Sequence, residues 1–147
     1  IIIGGCSASD RMFTEGILKA ASNFKETHQL SVLSCVSMDT ILEVVHHAGD
    51  STLVFMSSLI FDADSNRFSS GMAISLVTSQ SAVPVFTMSD NFIDYGGLGG
   101  YVISFLDVGK KAGLIARELL EQDSPGGLRK ISSSYYLHQY NWKELKK

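Results

Sequence analysis

The chain opens on Ile1-Ile2-Ile3, an unbroken β-branched run closed by Gly4-Gly5, which predicts a strand buried on both faces. Cys6 to Asp10 then offers several side-chain oxygens for an N-cap. Phe13, Ile17, Ala20, Ala21 and Phe24 recur at helical spacing, so residues 10–25 predict an amphipathic helix. A second strand is expected at 30–36. Ser37 or Asp39 can cap a second helix whose apolar positions are Ile41, Leu42, Val44, Val45 and Ala48, with Gly49 placed to end it. Residues 52–56 form a third apolar run, and 57–70 a long polar loop. A short helix over 71–80 leads into a fourth strand at 83–88, with Pro84 near its start, where a missing donor does least harm. Residues 89–100 are a second long loop, rich in glycine, and 101–105 a fifth strand. Asp107 opens a helix with Val108, Ala112, Ile115, Ala116, Leu119 and Leu120 on one face, stopped by the Ser-Pro-Gly-Gly of 124–127.

Strands alternating with helices in this way predict an α/β fold: a doubly wound, mostly parallel sheet with helices on both faces and right-handed crossovers. Ligands of such sheets bind at the carboxyl ends of the strands, near the switch in strand order. The candidate site loops are therefore 5–10, 57–68 and 89–100. The two long ones exceed the roughly 2–6 residues usual for such connections, which favours a functional role over a plain turn. No internal repeat is present, and serine is raised.

Composition narrows the function classes. With 147 residues, 45% apolar and 18% charged, and a mean hydropathy of +0.15, the chain fits about one globular domain able to bury its own core. No apolar stretch approaches the roughly 20 residues of a bilayer crossing. The start at Ile1, without methionine and already inside an apolar run, reads as a piece of something longer. Residues 1–100 hold four Lys/Arg against ten Asp/Glu, whereas 101–147 hold eight against five. An acidic body without clustered cations argues against nucleic acid as a partner. The late basic residues read as a solvated helix face and tail. Cys6 and Cys35 are too few for a disulfide scaffold and lack metal spacing. Each closes an expected strand and the two could lie near one another, but free, partly buried thiols are the expectation.

Most catalytic readings fail on residue type. The first loop has neither a dinucleotide glycine pattern nor a phosphate-loop lysine. A phosphoacceptor receiver would end its third strand in aspartate, where this chain has Met56-Ser57-Ser58. No G-x-S-x-G elbow occurs, and His28, His46, His47 and His138 fall outside the candidate loops. Asp62-Ala63-Asp64-Ser65-Asn66 resembles a calcium loop only superficially. It lacks the sixth-position glycine and the twelfth-position glutamate, and reads as an Asx-rich turn. Asp90 and Asp94 come with no base or nucleophile to make an acid–base pair. No cofactor, no metal and no enzymatic activity are expected. What remains is an edge of hydroxyls, amides, a carboxylate and rings: Ser57, Ser58, Phe61, Ser89, Asp90, Asn91, Phe92 and Tyr95. Such a mixture suits a reversible small-molecule site; Phe61, Phe92 and Tyr95 suit equally well a plain cover for the sheet edge. Ser7 and Ser9 stand where a helix N-terminus could hold a small anion, ordinary capping being the plainer reading.

Several segments resemble a known family. The opening strand ending in Gly-Gly, the strand and loop VPVFTMSDN, the crossing GLGGYVISF, the helix DVGKKAG and the closing NWKEL are similar to the second half of type I periplasmic binding proteins. The likeness extends to the related substrate-binding-like sensory regions of membrane histidine kinases and diguanylate cyclases. The closing segment, with Trp142, is nearer the sensor forms. The resemblance implies a two-lobed fold with ligand held between lobes. Residues 1–104 would be the second lobe, and the helix within 107–123 would pack on a first lobe or, failing that, on a second copy in a homodimer. It implies ligand contacts at Ser7, Ser9, Ser57, Phe61, Asp90, Asn91 and Tyr95, with Asp90 receiving an ammonium group and Phe61 or Tyr95 a ring if the solute is an amino acid. It also implies an extracytoplasmic sensing domain of a membrane-anchored signalling protein, with the solute-binding component of an ABC importer as the alternative. An enzyme on the same sheet is disfavoured.

Overall fold

The computed structural model describes residues 1–24, 27–121 and 135–146. The chain runs β1 (Ile2–Gly4), α1 (Ala8–Ala21), β2 (Val32–Ser34), α2 (Met38–His46), β3 (Val54–Met56), α3 (Ser70–Gln80), β4 (Val85–Thr87), β5 (Gly99–Ile103), α4 (Phe105–Leu120) and β6 (Tyr136–Tyr140), with 3-10 turns at Ser22–Phe24, Asp90–Tyr95 and Glu144–Lys146. The strands form one mixed α/β sheet in the order β2-β1-β3-β4-β5-β6. The first five are parallel, and β6 pairs antiparallel with β5.

Each α-helix begins on a serine for the same physical reason. The hydroxyls of Ser7, Ser37, Ser69 and Ser104 accept the backbone N–H three residues on, satisfying a donor the helix itself cannot use. This accounts for part of the raised serine content. Gly49 does not act as the expected left-handed stop: α2 ends at His46, and the His47 N–H closes back on Glu43 and Val45. The segment 124–127, expected to stop α4, lies outside the described residues.

Strand alternation divides the core. Ile3, Val54, Met56 and Val85 pack with Met38, Ile41 and Val45 of α2 and Ala73, Ile74 and Val77 of α3. Each such buried aliphatic side chain contributes about 2 kcal/mol. The intervening positions Ile2 and Phe55 line an apolar groove with Ile17 and Ala21 of α1 and with Phe24.

Two features correct the sequence reading. The tail after 135 is a sixth strand, whose partners across the ladder are Tyr101 with His138 and Ile103 with Tyr136. Tyr101 stacks on Tyr136 at 5.3 Å and tilts against His138 at 4.8 Å, so the pair is held by rings as well as backbone. Gly99, at φ 92°, admits β6 because any side chain there would strike the Gln139 carbonyl. The second correction is the thiols: Cys6 and Cys35 are not free but joined in a disulfide. Ends of neighbouring parallel strands lie close enough to bridge, here with the Cα atoms 4.4 Å apart.

No residue of α4 is buried, and Leu106, Leu114, Leu119 and Leu120 are all exposed. The chain leaves the sheet at Ser104 and returns at Tyr135, and these two points are bonded directly, Ser104 N–H to Tyr135 C=O at 2.7 Å. α4 therefore starts beside the point where β6 begins.

Gly5 is fixed by close approach. A Cβ there would meet the Asp10 carboxylate and stand 2.8 Å from the Phe61 carbonyl. Gly5→Ala is expected to destabilise the protein by about 2 kcal/mol, because neither neighbour can give way. An unchanged denaturant midpoint would contradict this packing.

Candidate functional site

The strand order places a topological switch at β1. The chain leaves β1 for β2 on one side and returns to β3 on the other, so the loops after β1 and β3 diverge at the carboxyl edge, where α/β sheets bind ligands. These two loops are laced together: Gly5 N–H donates to Ser58 C=O at 2.8 Å and Cys6 N–H to Phe61 C=O at 2.9 Å.

A single carboxylate organises the junction. Asp10 is fully buried and accepts from Ser7 N–H at 3.1 Å, Ser58 Oγ–H at 2.6 Å and Ile60 N–H at 3.1 Å. With Ser7 Oγ accepting from Asp10 N–H, it completes a capping box on α1. Burial alone pushes the Asp10 carboxyl up, but the hydrogen bonds from Ser58, Ser7 and Ile60 together outweigh it and hold the group below its ordinary value.

Asp62 plays the matching part between the loops after β2 and β3. It is also buried, accepting from Met38 N–H at the start of α2 and from Asp64 N–H, Asn66 N–H and Asn66 Nδ2. Burial pushes it up, and the donors of Asn66, Met38 and Asp64 bring it below its ordinary value. The Asx-rich reading of 62–66 therefore holds, the carboxylate being saturated by donors of its own loop and of α2. Among the described residues, no cluster of His, Cys, Asp or Glu is placed to hold a metal.

The expected ligand residues separate in the structure. Ser7 and Ser9 lie at the edge with their hydroxyls 3.0 Å apart. Phe61 is half-buried, its carbonyl accepting from Cys6 N–H one residue before Ser7, and the Arg67 guanidinium stands 4.8 Å over its ring. Ser57 does not reach the edge. It is buried, with its hydroxyl donating to Ile3 C=O at 3.0 Å and lying 3.3 Å from Thr14 Oγ1; Ser58, one residue on, takes the edge position. Asp90 accepts from Phe105 N–H at 3.2 Å, tying the loop after β4 to the start of α4. Asn91 is exposed and its Oδ1 accepts from Ser89 at 2.6 Å. The Tyr95 ring instead lies on the flank of α3, filling the space over Gly71.

Asp10, Asp62 and Arg67 lie in the candidate loops 5–10 and 57–68 but are not among the ligand contacts the resemblance implies. A readable signal existed for Asp10, since Ser7-x-x-Asp10 before an apolar run is a variant of the capping-box pattern. The loops after β1 and β3 offer hydroxyls at Ser7 and Ser9 and a cation on an aromatic face at Arg67 and Phe61, while the Asp90 carboxylate stands on the loop after β4 against α4. Such groups can hold a small polar molecule by hydrogen bonds and stacking.

No protein-family model, no curated protein and no solved structure matches this chain. No helix among the described residues is long and apolar enough to cross a membrane.

Proposed function

We propose that this chain is a non-catalytic, small-ligand-sensing lobe of a membrane-anchored signalling protein of the histidine-kinase or diguanylate-cyclase type, with a doubly wound sheet of the periplasmic-binding-protein kind. The observation that carries the reading is the position of Ser7, Ser9 and Phe61. Ser7 and Phe61 stand on the two loops that flank the β1–β3 switch and Ser9 in the first turn of α1, and those loops are laced by two backbone hydrogen bonds and the Asp10 carboxylate. A site so braced is organised before ligand arrives, which lowers the ordering cost of binding.

Two further features support it. α4 follows directly on Ser104 and buries none of its residues, as suits a helix that docks on a second lobe or a second copy. The disulfide suits an oxidising, extracytoplasmic compartment. The closing Asn141-Trp142-Lys143-Glu144-Leu145, similar to the sensor forms, favours a sensor over an importer component.

The test is a thermal-shift screen of the protein with amino acids, sugars and purines. One class is expected to raise Tm by about 4 °C at roughly ten times its Kd, the shift that mass action gives a domain of this size. Phe61→Ala and Asp90→Ala should each abolish that rise. Absence of a shift with every class, or a shift indifferent to both substitutions, overturns the reading.

A further inference from the structure

The Cys6–Cys35 bridge lies at the carboxyl edge of the sheet. It joins the ends of β1 and β2 across 29 residues of sequence, and both cysteines are half-exposed on the same edge as Ser7, Ser9 and Phe61. Each precedes a helix start: Ser7 caps α1 directly after Cys6, and Ser37 caps α2 two residues after Cys35. A helix N-terminus carries partial positive charge and stabilises a nearby thiolate. Arg11 adds a full charge, its Nε donating to the Cys6 carbonyl at 3.1 Å. The ionised Asp10 and Asp62 carboxylates take the Ser7 and Met38 N–H groups of these two helix starts, so it is Arg11 that supplies the positive charge beside Cys6, and a cation there favours a leaving thiolate and makes a disulfide easier to reduce. Cys35 also holds a left-handed φ of 56°, which residues bearing side chains seldom adopt, so opening the bridge frees a backbone that can relax.

Other ties keep the edge from unravelling when the bridge opens. Asp10 joins the loops after β1 and β3, and Asp62 joins α2 to the loop after β3. Ala63 N–H donates to Val36 C=O at 3.2 Å and Cys35 N–H to Gly4 C=O at 3.1 Å.

We propose that the Cys6–Cys35 disulfide is a reducible clip, opened by a dithiol in the folded protein, that sets the mobility of the loops after β1 and β2. Its role in controlling ligand affinity rests on the ligand-edge reading above; its opening does not. One thiolate of the dithiol attacks a cysteine sulfur, the S–S bond breaks, and the other cysteine leaves as a thiolate that takes up a proton. The second thiolate of the dithiol then displaces the mixed disulfide. The dithiol is oxidised to its own disulfide and both cysteines end as thiols.

The test uses the intact chain, dithiothreitol without denaturant, thiol titration and amide hydrogen exchange. The oxidised protein should show no titratable thiol, and reduction should expose both within minutes. Exchange across 5–10 and 35–38 should then rise at least tenfold, with Phe55 and Phe86 of the central strands unchanged. Arg11→Gln should slow the reduction several-fold. The clip is overturned if reduction requires denaturant, if exchange rises throughout the sheet, or if the loops exchange at the same rate in both states. None of these readouts needs a ligand. If the thermal shift given by a hit from the panel is equal in both redox states, the link to affinity falls while the ligand-edge reading stands.

Discussion

Asp10→Ala is expected to lower stability by about 3–5 kcal/mol, the largest loss for any single side chain at this edge. The substitution removes an acceptor shared by Ser7 N–H, Ser58 Oγ–H and Ile60 N–H. It leaves those donors, in part-buried positions, without their charged partner. It also breaks the capping box that starts α1. Equilibrium urea denaturation checks the value, and a loss below about 1 kcal/mol would mean that the carboxylate is replaceable by solvent. The same group gives a pH dependence. The carboxyls of both Asp10 and Asp62 are held below their ordinary value of 3.8 in the folded protein. Stability from a depressed carboxylate is fully present above the unfolded value and is lost as pH falls through the folded one. Stability should therefore show no contribution from these groups to its slope at neutral pH and fall below about pH 4, less steeply in Asp10→Asn, where only Asp62 remains to titrate.

The second large effect belongs to the bridge. Replacing Cys6 and Cys35 together by serine releases a loop closed across 29 residues, for which chain entropy alone gives about 3.5 kcal/mol. Tm should drop by about 10 °C in calorimetry. The variant should nevertheless fold, because the inter-loop carboxylates and the buried cluster around Ile3, Ile41, Ile74 and Val77 are untouched. Equal melting of the variant and the oxidised protein would show that the bridge restrains nothing in the unfolded chain.

Local chemistry made much of this fold readable from the chain. Apolar runs marked β1 and β3, and helical spacing with a preceding serine marked α1 and α2, because both signals arise within a few neighbouring residues. Features that depend on which strand lies beside which were not readable. The bridge needs β2 next to β1, and the alternation of Tyr136, His138 and Tyr140 becomes a strand only once β5 offers its edge. The candidate site divides in the same way. Ser7, Ser9 and Phe61 follow from loop position alone. Ser57 and Ser58 differ by one step of backbone, enough to turn the first hydroxyl into the interior and the second to the edge. Tyr95 is drawn aside by the vacancy over Gly71, on a helix 24 residues earlier in the sequence.

The central claim is that the carboxyl edge at the β1–β3 switch takes a small ligand. Backbone amide chemical-shift mapping with the class identified in the melting screen tests it most directly. The account predicts the largest changes at Ser9, Ser58, Phe61 and Asn91. Changes confined to the apolar groove of Ile17, Phe24 and Phe55, or to the Tyr101–Tyr136 stack, would contradict it.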